Sequence, residues 1–240
     1  MGLIRIGTAG WSIPKAYAEA FPGEGTHLER YARRLNATEI NSSFYRSHRP
    51  ETYARWAEAV PPDFAFSVKV PREITHRARL RGFEEALAGF LYEASALGEK
   101  LGPLLVQLPP SLAFEPEVAA AFFAWFRARF DRGIACEPRH RSWFSPEADE
   151  TLWRFRVARV AADPAPEGCS SEPGGWPGLV YFRLHGSPQI YRSAYEPAFL
   201  EELAGRLHAA SSAGAEVWCI FDNTASGAAL GNAVFLRERC

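Results

Sequence analysis

Short stretches of strict two-residue alternation, each giving way to a helical period, constrain this chain more than any other feature. In Phe64-Ala65-Phe66-Ser67-Val68-Lys69-Val70 the large apolar side chains Phe64, Phe66, Val68 and Val70 share one face, while Ala65, Ser67 and Lys69 share the other. Lys69 therefore points away from the apolar layer. The same parity sets Glu39 and Asn41 against Thr38 and Ile40, Gln107 against Val106 and Leu108, Glu137 against Ile134 and Cys136, and Arg183 and His185 against Val180, Phe182 and Leu184. Ionisable groups thus gather at the downstream ends of strands, on the face opposite the apolar residues.

Strand-like runs fall at 3–7, 37–41, 64–70, 103–108, 133–137, 157–163, 179–185 and 216–222, with amphipathic helical patterns between most of them. Phe83, Leu87, Phe90, Leu91 and Ala94 form one helical stripe closed by Gly98, and Pro116 and Pro197 stand where first helical turns begin. Alternation repeated eight times in 240 residues, near the roughly 250 typical of such folds, predicts an α/β protein of the (β/α)8 TIM-barrel type, with residues 1–240 as a single domain. An open dinucleotide-binding sheet is disfavoured, because Gly7-Thr8-Ala9-Gly10 lacks the spacing of its phosphate loop. Asp163–Gly178, rich in Pro, Gly and Ser, is the longest irregular stretch, and segments of this kind serve as lids or as disordered connections.

A formal net charge of -1 supplies no global field toward nucleic acid or an anionic membrane. No apolar run is long enough to span a bilayer, and the first residues carry no signal-peptide core, so a cytoplasmic location is expected. Four cysteines without a Cys-x-x-Cys pair agree with a reducing compartment.

Seven segments together resemble one family. They are Gly7-Thr8-Ala9-Gly10-Trp11-Ser12, Glu39-Ile40-Asn41-Ser42-Ser43-Phe44-Tyr45, Phe66–Pro71 with Thr75-His76, Leu101–Pro110, Glu137-Pro138-Arg139-His140-Arg141-Ser142-Trp143, Tyr181–Gly186 and Phe221–Ala225. The chain is similar to the microbial family catalogued as domain of unknown function 72, also called YecE-like. The resemblance implies a TIM-type barrel and carries no reaction, substrate or catalytic residue with it.

The candidate chemistry therefore comes from the residues. Active sites of such barrels lie where the strands end. Glu39 and Glu137, expected on opposite sides of the mouth, are the candidate acid and base, and Lys69 and His185 complete the catalytic set. Lys69 is one of three lysines in a chain that otherwise carries positive charge on Arg; the roles of anion anchor and proton donor suit it better than that of Schiff-base nucleophile. Asn41, Tyr45, His76, Gln107, Arg139, His140, Trp143, Arg183, Asp222 and Asn223 are expected to bind substrate, with Thr224 as a possible helix cap. Trp11, Phe44, Phe144 and Tyr191 add aromatic surface for a sugar or base. Glu39, Glu137, Asp163, Asp222 and His185 are of types that bind a divalent metal, though without a metal-binding spacing. Two functions remain: acid–base or hydrolytic chemistry on a small phosphorylated or sugar-containing compound, or non-catalytic binding of a nucleotide or single-stranded nucleic acid at the same mouth, with Arg46, Arg72, Arg139 and Arg192 beside the aromatics.

Overall fold

A computed structural model describes residues 2–240. The expected alternation is present: β1 (Ile4–Thr8), α1 (His27–Ala32), β2 (Ala37–Ile40), α2 (Pro50–Glu58), β3 (Ala65–Lys69), α3 (Glu84–Ser95), β4 (Leu101–Gln107), α4 (Pro116–Arg127), β5 (Ile134–Glu137) and α5 (Pro146–Arg154) follow in order. The remainder is β6 (Val157–Arg159), β7 (Ala161–Asp163), β8 (Gly174–Gly175), β9 (Leu179–Leu184), α6 (Pro197–Ser212), β10 (Glu216–Phe221) and α7 (Ala228–Arg237). Local chemistry sets the helix starts. Thr26 and Glu29 form a reciprocal capping box on α1, and Pro50, Pro116, Pro146 and Pro197 open α2, α4, α5 and α6, where a missing N–H costs nothing.

The strands form two sheets, ordered β1-β10-β9-β7 and β2-β3-β4-β5-β6-β8, parallel throughout except where β8 runs against β6. Two seams bring the sheets together. At the first, β1 and β2 are joined by side chains instead of a regular ladder. Asn36 accepts from the Ile6 amide (2.9 Å) and donates to the Ile4 carbonyl (2.8 Å). The Tyr31 hydroxyl accepts from the Thr8 amide (2.8 Å) and donates to the Ala37 carbonyl (2.9 Å). Direct pairing resumes at Ala9 and Glu39, where the Gly10 amide donates to the Glu39 carbonyl (2.8 Å). At the second seam, residues 157–163 serve both sheets. β6 pairs with β5, Val160 donates to the Cys136 carbonyl (2.8 Å), and β7 pairs with β9.

Strand parity produces two apolar layers. Phe66, Val68, Leu104, Val106, Ile134, Cys136, Phe182 and Leu184 pack against the helices. On the other face Ala37, Ala65, Ala135 and Ala158 are small beside the stacked rings of Tyr181 and Trp218, whose planes lie 3° apart. The small side chains make room for the large ones, so the lower interior is filled and the polar residues stand above it.

The segment Asp163–Gly178 differs from the lid or disordered connection expected of it. Gly174 and Gly175 pair antiparallel with Arg159 and Ala158, and the Trp176 amide donates to the Val157 carbonyl (2.9 Å), which draws the chain back along β6 and away from the strand ends. Arg159, paired with Asp149 of α5 (2.8 Å), also donates to the Glu172 carbonyl of the segment (3.5 Å). Among the described residues, no helix is long and apolar enough to cross a membrane.

Candidate active site

Arg183, projecting from β9 and wholly buried, organises the polar centre. Its Nε and Nη2 donate to the two oxygens of Glu39 (3.1 and 2.8 Å), Nη1 donates to Glu137 Oε2 (3.1 Å), and Nη2 also reaches Asp222 Oδ2 (3.0 Å). One rigid guanidinium thereby serves carboxylates from β2, from β5 and from the exit of β10, as the planar five-donor geometry of arginine permits. Glu39 pairs with Arg183 and not with Arg5, whose guanidinium is spent on the backbone carbonyls of Asn36 and Asp63.

Around this core each charge has several partners. The Tyr181 hydroxyl donates to Glu39 Oε2 (3.0 Å) and lies 2.9 Å from Ser67 Oγ. Glu137 Oε1 meets Arg139 Nη2 (2.5 Å) and His185 Nε2 (2.9 Å), and Gln107 donates to Oε2 (3.1 Å). His185 spans two acids, its Nδ1 standing 3.1 Å from Asp222 Oδ2 and its Nε2 also 2.5 Å from Arg139 Nη2. Burial pushes the Glu137 carboxyl up, but Arg139, Arg183 and His185 together outweigh it and hold the group well below the ordinary carboxylate range. Asp222 is lowered in the same way: burial opposes ionisation, and Arg183, His185 and Lys69 overcome it.

Lys69 stands apart. It is 4% exposed, joins none of these ion pairs, and lies with Nζ 4.1 Å from the centre of the Phe44 ring. Burial first, then the Arg183 charge, pulls its pKa down to about 8, with Glu39, Glu137 and Asp222 offsetting part of the fall. Lys69 lines an open cleft of about 540 Å³ at the strand exits, together with Asn41, Phe44, Tyr45, Arg72, His76, Gln107, Tyr191, Asp222, Thr224 and Ala225. Burial, with Lys69 and Arg72 close by, holds the His76 imidazole below its usual pKa. Tyr191 is half exposed, takes a left-handed backbone conformation (φ 67°) that a tyrosine seldom adopts, and sets its ring edge-on to His185 at 5.7 Å.

The predicted residues divide three ways. Lys69, Asn41, Tyr45, His76, Gln107 and Asp222 face the cleft. Glu39, Glu137, Arg183 and His185 form the buried network directly beneath, each at 0% exposure, with Arg139 at its edge. Three others leave the expected binding set. Trp143 is core, 1% exposed, with Nε1 donating to the Leu112 carbonyl (3.0 Å). Asn223 is also fully buried and donates to the Ser193 carbonyl (2.8 Å) and Asn232 Oδ1 (2.9 Å). His140 turns to Ser142 Oγ (2.8 Å) beside its own short helical turn and is absent from the cleft lining. Thr224 does not cap α7; that position belongs to Gly227, at φ 82°. Among the described residues, no three His, Cys, Asp or Glu side chains are grouped as a metal-ligand set: oxygens of Glu39, Glu137 and Asp222 are turned to Arg183, and Asp163 Oδ2 accepts from Tyr195 (2.7 Å). Tyr181 escaped the sequence reading, although its parity with Arg183 and His185 places it on the same face.

Comparison with known proteins agrees with this architecture. The family described as "Protein of unknown function DUF72" matches residues 5–240. The UPF0759 protein YecE of Escherichia coli K12 is 34% identical over 172 residues, 68% of this chain and 60% of its own length, so the match spans about three fifths of that relative. A DUF72 family protein from Enterococcus faecalis V583 superposes with a TM-score of 0.82 at 25% identity, covering 99% of this chain and 95% of that one. A xylose isomerase-like TIM barrel/4-hydroxyphenylpyruvate dioxygenase fusion protein gives a TM-score of 0.50 at 12% identity over 86% of this chain and 38% of the other, a likeness of fold alone.

Proposed function

Because the chain belongs to the DUF72 family, whose description assigns no activity, we infer a function from the site itself: acid–base chemistry on a small, polar, anionic compound, phosphorylated or sugar-containing, held in the Lys69 cleft. One observation carries this reading. A lysine at 4% exposure, beside three buried carboxylates yet paired with none of them, keeps a free amine on the cleft wall. An unpaired buried charge lowers stability, so one that is kept points to a task, and a pKa of about 8 leaves the amine charged at neutral pH while able to release its proton.

In this proposal Lys69 and Arg72 anchor the anionic group, and Lys69 delivers a proton to the developing negative charge. Asp222 and Gln107 receive and orient substrate hydroxyls, since both line the cleft. Glu39 is a positioning residue, because both of its oxygens are held by Arg183 and Tyr181. Glu137 and His185 are positioning residues: His185, in contact with both carboxylates, ties Asp222 to the network beneath it. The proposed scaffold is a closed eight-stranded barrel over residues 1–240 as one domain, supported by the side-chain seam between β1 and β2 and by residues 157–163 pairing into both sheets. Four free cysteines favour a cytoplasmic setting.

The test is binding and turnover across sugar phosphates and simple phosphomonoesters, comparing the natural chain with Lys69→Met. Proton transfer by a positioned group contributes about 10²–10⁴-fold, so turnover should fall by at least about a hundredfold while circular dichroism stays the same. An anion affinity indifferent to Lys69→Met would remove the assignment. A second reading, non-catalytic binding of a nucleotide or single-stranded nucleic acid, is favoured by the rim tyrosines Tyr45 (67% exposed) and Tyr191 (47% exposed). Steep weakening of oligonucleotide binding between low and moderate salt would select it.

A further inference from the structure

The Lys69 cleft does not end at its rim. A second compartment, of about 380 Å³, adjoins it and shares Asn41 and Tyr45 as common wall. Its other sides come from Trp11, Ser12 and Ser42, in the turns that leave β1 and β2. The two spaces differ in chemistry. Lys69, Arg72 and His76 line the first together with one carboxylate, Asp222, whereas the second carries no charged side chain and is walled by the indole of Trp11 and the phenol of Tyr45.

The dividing wall itself lacks a partner. The Asn41 side chain makes no hydrogen bond among the described residues, and its Oδ1 is buried without a donor. A buried carbonyl left unpaired lowers stability, so a group that presents a donor there regains that cost on binding. Trp11 is held in place from behind, edge-on to Trp56 (ring centres 5.0 Å apart) and Phe66 (6.2 Å), so its position does not depend on a ligand. Tyr45, 67% exposed, sets its ring edge-on to Phe44 (5.0 Å) on the wall of both spaces.

We infer that the ligand is a ring bearing an anionic group, with the anion on Lys69 and Arg72, the ring's flat face against Tyr45 and Trp11, and a donor on its edge meeting Asn41. The inference rests on the anion-anchor reading of Lys69 and extends it to the compartment that selects the rest of the molecule. Pyranose and aromatic rings both offer such a face, and the two are separated by the choice of probe.

The experiment is isothermal titration of the full chain with inorganic phosphate, phenyl phosphate and glucose 6-phosphate. Stacking on an aromatic side chain strengthens binding about fivefold or more, so at least one ring phosphate should bind about fivefold or more tightly than inorganic phosphate. Phenyl phosphate as the tighter of the two marks an aromatic ring, and glucose 6-phosphate marks a sugar. Tyr45→Ala should bring the affinity ratio between ring phosphate and inorganic phosphate close to one, and the exposed position protects that variant from misfolding. Trp11→Leu should do the same. Equal affinity for all three probes, or a ratio that survives both variants, overturns the ring compartment and leaves the anchor standing. Ring phosphates that bind through Tyr45 but ignore Lys69→Met overturn the anchor instead. Absence of binding by every probe overturns both.

Discussion

Arg183 and Lys69 occupy neighbouring positions in one electrostatic system and should answer mutation in opposite ways. Removing Arg183 strips the counter-charge from Glu39, Glu137 and Asp222 at once, and breaking a buried pair of this kind costs about 3–5 kcal/mol. Arg183→Leu should lose at least that much in urea unfolding at pH 7. Because Glu137 and Asp222 are held below their ordinary pKa values, their contribution is present above the usual carboxylate range and is lost as pH falls through the lowered values. The stability gap between the natural chain and Arg183→Leu should therefore narrow below about pH 4. A gap that stayed constant with acidification would show that these carboxylates do not depend on Arg183. Lys69 carries the reverse sign. Its folded pKa of about 8 lies below the unfolded value, so the unfolded chain binds the extra proton between about pH 8 and 10.5, and stability rises with pH across that window. The rise, roughly 3 kcal/mol at most for a shift of this size, should be missing from Lys69→Met when the two unfolding profiles are compared. At this scale the sequence was informative about direction and silent about partners. Parity alone turned Glu39, Lys69, Glu137 and Arg183 inward, yet the pairing of Glu39 with Arg183 joins residues 144 positions apart and depends on how the strands come together.

At the scale of elements, the junction of β1 and β2 depends on Gly7, Tyr31 and Asn36, whose roles the alternation pattern does not reveal. Gly7 is required there because a methyl group at that position would run into the Ala37 carbonyl and crowd the Tyr31 hydroxyl at 2.9 Å. Overpacking of that kind costs about 1–3 kcal/mol, and Gly7→Ala should show it as a lower denaturation midpoint with an unchanged slope. Tyr31→Phe should cost a similar amount, about 1–3 kcal/mol, by leaving the Thr8 amide and the Ala37 carbonyl without their bridge. A neutral result for Tyr31→Phe would mean that the two strands close without the hydroxyl. The eight expected runs agree with the strands to within two residues, since a two-residue period is a local property, but 157–163 divides into β6 and β7, and β8, made of two glycines, carries no such period. Trp143 was misplaced for the opposite reason. It sits in a short helical turn after β5, and the partner that draws it inward, the Leu112 carbonyl, belongs to the preceding strand-to-helix connection. The loop after β7 was misread similarly, because its docking along β6 relies on two glycines and Arg159, not on any apolar period.

For the whole molecule, the proposed closed barrel in one domain implies one cooperative unfolding event. Far-ultraviolet circular dichroism and tryptophan fluorescence should give coincident urea transitions, since Trp11, Trp143 and Trp218 lie in different parts of the same structure. Two separated transitions would indicate that the two sheets fold as independent units. The amino-acid sequence by itself determined the alternation of strands and helices and the side chains that each strand turns inward, because these follow from spacing along the chain, and its seven motif segments carried the family resemblance. Tertiary structure alone decided that one guanidinium would bind three carboxylates, that Glu39 and Glu137 would lie beneath the cleft while Lys69 and Asp222 line it, and that a second compartment would open beside Tyr45. Those outcomes depend on distances between residues far apart in sequence, which are fixed only when the strands pack small alanines beside Tyr181 and Trp218.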